Sequence, residues 1–334
     1  MDSNSITTME AEQKKVRKGI YGSTLKLIAI LTMLIDHTAA TILDRTLAVR
    51  GLSSYYDSDL MSIYYADVIM RYIGRIAFPI FCFLLVEGFI HTHSKWKYTV
   101  RLAIFALISE IPFDLAFKGK VFFMNYQNVF FTLTIGMLVM IGFQTNSEKL
   151  REKKWLIGLA IGGILATAVT ATYAIKGIVS YLNRIFAAYQ TGNSITLNDM
   201  AYLLIGVVIG IIALLIYLLA RKKSAQAANV QFADLLVLIA GMLLATLLKT
   251  DYSAFGILTI AVVYGLRKGH VRAVLGACIT LTIMSLVEIT SFFALIPAYL
   301  YNGQRGLKLR YVFYIFYPAH LLILYLICYF MGIA

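Results

Sequence analysis

Apolar stretches of close to twenty residues, cut by short charged tracts, set the rhythm of this chain. A membrane-crossing helix needs about 20 apolar residues at about 1.5 Å each. Runs of that kind fall near 25–43, 69–90, 98–117, 127–143, 155–175, 201–220, 233–248, 253–267, 272–300 and 311–332. The seventh and eighth are short, which suits tilted helices or helices covered by their neighbours. The stretch 272–300 is too long for one ordinary span, and Glu288 interrupts it, so it holds either one helix or two short ones. The runs are continuously apolar rather than alternating, which predicts an all-α, polytopic transmembrane helical bundle of 10–11 helices and not a barrel.

Composition sharpens this picture. The chain is 60% hydrophobic and only 14% charged, where soluble domains carry about 25% charged residues. Its net charge of +13 is concentrated in tracts between apolar runs, the pattern of a membrane face contacting lipid headgroups, and nucleic acid is excluded as a partner. The tracts KKVRK (14–18), HTHSKWKYTVR (91–101), EKLREKK (148–154), RKK (221–223) and RKGHVR (267–272) recur at every second loop. The positive-inside rule then predicts a cell-membrane protein with a cytoplasmic N-terminal tail over 1–24 and a single transmembrane domain over 25–334. The basic loop 301–310 is cytoplasmic with eleven helices and outside with ten, and charge favours eleven. The loops 44–67 and 176–199 face outside. The first apolar run, with no small-residue cleavage site after it, reads as a retained helix rather than a signal peptide. Cys82, Cys278 and Cys328 lie inside apolar runs, an odd number without CxxC spacing, so neither a disulfide framework nor a metal site is predicted.

Candidate chemistry lies where ionisable groups interrupt hydrocarbon. LTMLIDHTAATIL (31–43) carries Asp36 and His37 side by side. Asp36 lies eight residues before Asp44, and Arg75 eight after Asp67. Both are then about 12 Å below the outer surface, and intramembrane charges pair, so an Asp36–Arg75 ion pair is predicted. His37 lies eleven residues after Lys26, and His320 ten after Arg310, which puts both rings about 15–17 Å in from the cytoplasmic side. Glu110 and Asp114 share a helix face around Pro112, Asn125 and Asn128 open the next helix, and Asp251 with Tyr252 ends another. One such group is a helix lock or a satisfied core residue; several together point to a polar cavity. Glu87, His91 and His93 read as a solvated helix end, lacking a further ligand of metal-site spacing.

The stretches LKLIAILTMLIDH (25–37), RYIGRIAFPIFCFLLVEGFIHT (71–92), RLAIFALISEIPFDLAF (101–117), NVFFTLTIG (128–136), DYSAFGILTI (251–260) and YNGQRGLKLRYVFYIFYPAHLLILYLI (301–327) resemble the TraX family. Its namesake acetylates the N-terminus of a pilin in conjugative transfer, and the family is similar to the multi-pass membrane acyltransferases. The resemblance implies an acetyltransferase that uses cytoplasmic acetyl-CoA as co-substrate and an acceptor at the membrane or its outer face: an exported peptide such as pilin, a glycan or a lipid. Such a reaction needs a base to deprotonate the acceptor and a donor for the tetrahedral oxyanion. His37 is the candidate base, Glu110 its partner, and Arg75 or His320 the oxyanion donor; alternatively His37 or His320 carries the acetyl group covalently. Asp36 completes the catalytic set. Arg71, Arg75, Asp114, Asn128, Asp251 and Tyr252 are candidates for acceptor binding. Tyr301, Asn302, Arg305 and Lys308 are candidates for the CoA phosphates if the 301–310 loop is cytoplasmic. The rival readings are a proton-coupled transporter, with Asp36, Arg75, Glu110 and His37 as the relay, and a non-catalytic assembly protein. The lack of a visible internal repeat counts against an inverted-repeat transporter.

Overall fold

The computed structural model describes residues 19–51, 58–148, 155–188, 194–307 and 310–334. In chain order its helices are α1 Gly22–Thr38, α2 Asp44–Arg50, α3 Ser58–Gly74, α4 Ala77–His91, α5 Lys95–Lys118, α6 Val129–Glu148, α7 Trp155–Ala188, α8 Asp199–Lys223, α9 Ala225–Leu247, α10 Ser253–Gly265, α11 His270–Met284, α12 Leu295–Leu300 and α13 Arg310–Phe330. A π-turn, Ala39–Leu43, joins α1 to α2, and a 3-10 segment, Leu286–Ala294, leads into α12. Seven helical stretches among the described residues are long and apolar enough to cross a membrane. The protein is an all-α, multi-pass membrane protein.

Several elements outrun their apolar runs. The first helix continues past 43 to Arg50 through the π-turn, and the second begins at Ser58 rather than 69. α7 runs to Ala188, so residues 176–188, which read as loop in the sequence, are helical. From this part of α7, Lys176 reaches Asp199 at 2.6 Å, and Asn183 exchanges two hydrogen bonds with the backbone of Ile195. A helix satisfies its own backbone, so it can pass from hydrocarbon into water unbroken. Hydropathy therefore marks where α7 leaves the apolar slab, not where it ends.

The described residues pack into two compact units, the first built on stretches within 1–93, 104–124 and 262–334, the second on stretches within 94–103 and 125–261.

In the first unit, the start of α1 is stitched to the segment after α12. Ile20 N–H donates to Leu300 O and Asn302 N–H to Ile20 O, while Gly22 and Ser23 N–H donate to the carbonyls of Gln304 and Arg305 (2.8 and 2.9 Å). These carbonyls occupy two of the four N–H groups that a helix start leaves without partners. Gly306, at φ +69, makes the turn, and a Cβ there would overlap Ser23 and Tyr21. The stretch from His270 to Tyr301 is a hairpin. Its two feet touch, with the His270 and Tyr301 rings 4.9 Å apart. Midway, Cys278 Sγ–H donates to the carbonyl of Ser291 at 3.2 Å. Ser285 makes the turn in an extended conformation (φ −155°, ψ 132°). Both feet therefore lie at the end where α1 begins, on the side that an eleven-helix count requires for the 301–307 segment. The tip meets α3, with Thr290 Oγ1 donating to the carbonyl of Tyr72 at 2.8 Å. Non-helical backbone at this depth is tolerated where protein covers it, and Glu288, Ser291 and Ala294 are all buried.

The second unit is closed by small residues. A Cβ on Gly163 of α7 would overlap the carbonyl of Phe232 on α9, and one on Gly206 of α8 would overlap Thr172 of α7. This is the close backbone approach by which membrane helices associate without a hydrophobic driving force. Ile135, Val139, Ala245 and Ile257 fill one core cluster, and Ala160, Ile164, Tyr217, Ala228 and Phe232 another. Leu203, Leu204, Val207, Val208, Ile211 and Ile212 of α8 are exposed, as an all-apolar helix facing lipid requires.

Candidate functional site

His37 lies in the last turn of α1 and His320 midway along α13. His37 Nδ1 and His320 Nε2 are 2.8 Å apart, with the two ring planes within 9° of each other. His320 Nδ1 stands 2.8 Å from the carbonyl oxygen of Phe316, one turn back on its own helix. A carbonyl only accepts, so the proton of neutral His320 sits on Nδ1 and its Nε2 is a lone pair. That lone pair accepts the Nδ1–H of His37, which leaves His37 Nε2 as the basic nitrogen of the pair. Aromatic edges hold the geometry: Phe117 and Tyr317 pack against His37 at 5.2 and 6.0 Å, and Phe316 stacks on His320 at 4.5 Å. The π-turn begins two residues after His37, and Thr41 Oγ1 donates to the His37 carbonyl at 2.6 Å. Single π-turns inside helices recur at functional sites. Pro318 lies between Phe316 and His320 and denies the carbonyl four residues earlier its usual N–H.

Beside the pair lies a four-membered ion network. Asp36 Oδ2 accepts from Arg71 Nη1 at 2.8 Å, and its Oδ1 accepts from Arg75 Nη2 at 3.2 Å. Arg75 Nη1 donates to Glu288 Oε1 at 2.9 Å. At the break between α3 and α4, Arg75 Nε also meets the carbonyl of Arg71 at 3.1 Å. Two cations and two anions thus neutralise one another. Gly74 permits this, because a Cβ there would overlap the side chain of Asp36. The two arginines differ in what they have left. Arg75, with a side chain 14% exposed, has all three of its nitrogens engaged. Arg71 is 36% exposed, and its Nη2 and Nε meet no acceptor among the described residues.

The sequence-predicted residues divide accordingly. Asp36, His37, Arg71, Arg75 and His320 come together, with Asp36 holding the arginines by both oxygens. Glu110, expected beside His37, makes no hydrogen bond to it; His320 occupies the Nδ1 side instead. Of the groups expected as oxyanion donors, each Arg75 nitrogen and the Nδ1–H of His320 already has a partner within the protein. Asp114, 1% exposed, accepts the Phe123 N–H at 2.6 Å and so organises the turn after α5. Asn128 Oδ1 accepts from Phe130 N–H at 3.0 Å and caps α6 in the second unit. In that unit Asp251 also serves local structure: it accepts from Tyr126 Oη and Tyr252 N–H (2.8 and 3.0 Å), and its carbonyl accepts from Thr132 Oγ1. Tyr252 adopts φ +60° there. Tyr301 is buried and donates to Glu87 at 3.5 Å; burial and that carboxylate push its phenol up to about 12. Asn302 braces its own loop through Gln304 N–H and the Gly19 carbonyl. Of the four candidates for CoA phosphates, Arg305 is exposed, and Lys308 lies outside the described residues. Glu288 was legible only as an interruption of an apolar run, and Gly74 gave no signal at all.

The cysteines are free and buried. Among the described residues no group of three or more His, Cys, Asp or Glu side chains is arranged to hold a metal ion.

The family model described as TraX protein matches residues 21–208 and 184–328. The probable fimbrial assembly protein FimC, serogroup H1, of Dichelobacter nodosus is 26% identical over 312 residues, covering 90% of this chain and 92% of that protein. No solved structure matches the chain. With the histidine pair, both arginines, Asp36 and Glu288 all inside the matched span, the chain belongs to the TraX family.

Proposed function

We propose that the protein is a membrane acetyltransferase, taking the acetyl group of cytoplasmic acetyl-CoA to an amine or hydroxyl of an acceptor at the membrane or its outer face. The observation that carries this reading is the oriented histidine pair, which directs one basic nitrogen, His37 Nε2, away from its partner. The similarity to a probable fimbrial assembly protein favours an exported pilus subunit, with its N-terminal amine, as the acceptor.

The reaction follows from these groups. His37 Nε2 takes a proton from the acceptor as its nitrogen or oxygen attacks the thioester carbonyl. The C–S bond's carbonyl becomes tetrahedral, and its oxyanion is met by the unengaged N–H groups of Arg71, where charge stabilisation acts at low dielectric. The C–S bond then breaks, and the departing thiolate recovers the proton from His37, giving the acetylated acceptor and free CoA. His320 keeps the Nδ1 proton of His37 in place throughout. Asp36 and Arg75 hold Arg71 by charge and by backbone contact, so they are positioning residues.

The test is label transfer. Purified protein in detergent receives acetyl-labelled CoA and a synthetic peptide with a free N-terminal amine, and label on the peptide is followed. Transfer by wild type, lost in His37→Ala at an unchanged melting temperature, is the expected outcome. No transfer to peptide, glycan or lipid amine in wild type, with substrate uptake driven by a proton gradient in vesicles, overturns it in favour of a transporter.

A further inference from the structure

Arg45, half-buried near the start of α2, donates from its Nη2 to the carbonyls of Leu115 and Ala116 at 2.9 and 2.7 Å. Both belong to the last turn of α5, whose carbonyls a helix end leaves short of N–H partners. Gly119, at φ +63°, makes the turn that follows, its N–H donating to the Leu115 carbonyl at 3.1 Å. Among the described residues Arg45 has no carboxylate within ion-pair distance, so its charge faces the negative end of α5. The next residue of α5 is Phe117, whose ring makes a T-shaped contact with His37, centroids 5.2 Å apart and planes at 86°. Phe113 packs against Phe117 at 4.8 Å. Arg45 and His37 therefore hold the same turn of α5, and both stand on one continuous helical stretch, Gly22–Arg50.

A regular helix would not allow this. Eight residues separate His37 from Arg45, which in an α-helix is two turns and about 80° more. The π-turn Ala39–Leu43 lies between them, with Asp44 N–H reaching back five residues to the Ala39 carbonyl. A turn closed by such bonds takes up one residue more than an α turn. That absorbs about 100° and brings Arg45 back to within about 20° of the His37 face. The end of α5 meets the two residues with groups that point in opposite directions. Its last carbonyls point out of the helix end, while the Phe117 side chain leans back toward the helix start. Arg45 takes the carbonyls and His37 meets the ring.

We propose that Arg45 is a positioning residue for His37, acting through the end of α5: its guanidinium fixes Leu115 and Ala116, and with them the Phe117 ring against which the His37 imidazole is set. The proposal rests on the reading of His37 Nε2 as the base and deepens it. The π-turn acquires a purpose as well, since it keeps the base and its distant support in phase on one face.

The experiment reads the imidazole first and turnover second, on the full chain in detergent. Nitrogen NMR of histidine-labelled protein identifies the His37 signals by their loss in His37→Ala. Wild type shows the proton on Nδ1 and Nε2 bare. Arg45→Met, which keeps the chain length but removes the donors, shows the proton shared between the two ring nitrogens. Phe117→Leu shows the same, with the cap intact. Each lowers kcat about tenfold or more, as a misplaced catalytic group does, at unchanged KM. Arg45→Lys, which can still donate to a carbonyl, recovers part of both readouts. An arginine that only stabilises the fold gives Arg45→Met a lower melting temperature with the wild-type spectrum and turnover per folded molecule, and that result overturns the proposal. Should Arg45→Met fail to fold, Phe117→Leu decides alone, because a wild-type spectrum there removes the link on which Arg45 acts. Altered spectra in the variants, with no acetyl transfer by wild type, keep the positioning role and overturn the acetyltransferase. Transfer by wild type with unaltered spectra in the variants does the reverse.

Discussion

The two units of the molecule treat their buried polar groups in opposite ways. In the second unit, Asp251 takes the Tyr126 hydroxyl, the Tyr252 N–H and, through its carbonyl, Thr132; Asn146 donates to Asp234 at 2.8 Å and Tyr217 to Asn229 at 2.7 Å. These groups stabilise helix ends and helix pairs by satisfying one another. In the first unit, the Asp36–Arg71–Arg75–Glu288 network and the histidine pair also satisfy most of their capacity, but unevenly. Arg71 retains two nitrogens with no acceptor among the described residues, and His37 retains one ring nitrogen. A polar group inside a membrane protein therefore points to chemistry through the capacity that its neighbours leave over, not through its presence.

That contrast is open to test, beginning with the change of largest effect. His37→Ala lowers acetyl transfer by about 100- to 10,000-fold, the contribution of a positioned acid–base group, with melting unchanged; a loss of tenfold or less in the labelled-acetyl assay would break the comparison at its centre. Glu288→Ala leaves a buried Arg75 nitrogen without its anion and destabilises by about 3–5 kcal/mol, read as a lowered melting temperature in detergent. Asp251→Ala in the second unit removes hydrogen bonds around a turn and destabilises by about 1–3 kcal/mol. Turnover per folded molecule stays at the wild-type value, and a fall in it would make Asp251 part of the site. Gly74→Ala, by pressing a methyl group on Asp36, destabilises by about 1–3 kcal/mol and lowers turnover as well, because Arg71 shifts with it. At the small end, Lys176→Met removes an exposed pair with Asp199 and changes neither melting nor transfer measurably.

The helices and the Asp36–Arg75 pairing were legible because hydrocarbon makes such residues stand out against apolar sequence. The register of His320 against His37 was legible for the same reason, as both follow basic residues that mark the start of a helix. What escaped were features set by contact between distant segments. Glu288 meets Arg75 only because 270–301 folds back on itself, and no local pattern distinguishes that hairpin from one overlong helix. The π-turn after His37 has no residue signature, and the role of Gly74 appears only when Asp36 lies against it. The end of α7 was misplaced because polarity records solvent, while helix continuation records backbone hydrogen bonding.

The stitch between the start of α1 and residues 300–305 also fixes an order of events during synthesis. α1 leaves the ribosome first, yet the carbonyls that take its Gly22 and Ser23 N–H groups are made nearly three hundred residues later. His320 follows His37 by 283 positions. Helices of the second unit can pair as they emerge, since their partners are neighbours in the chain. The half that carries the histidine pair must wait with its first helix unfinished until the last ones insert. The histidine pair is thus completed only at the close of biosynthesis, and a chain interrupted before α13 lacks it however well its other helices have folded.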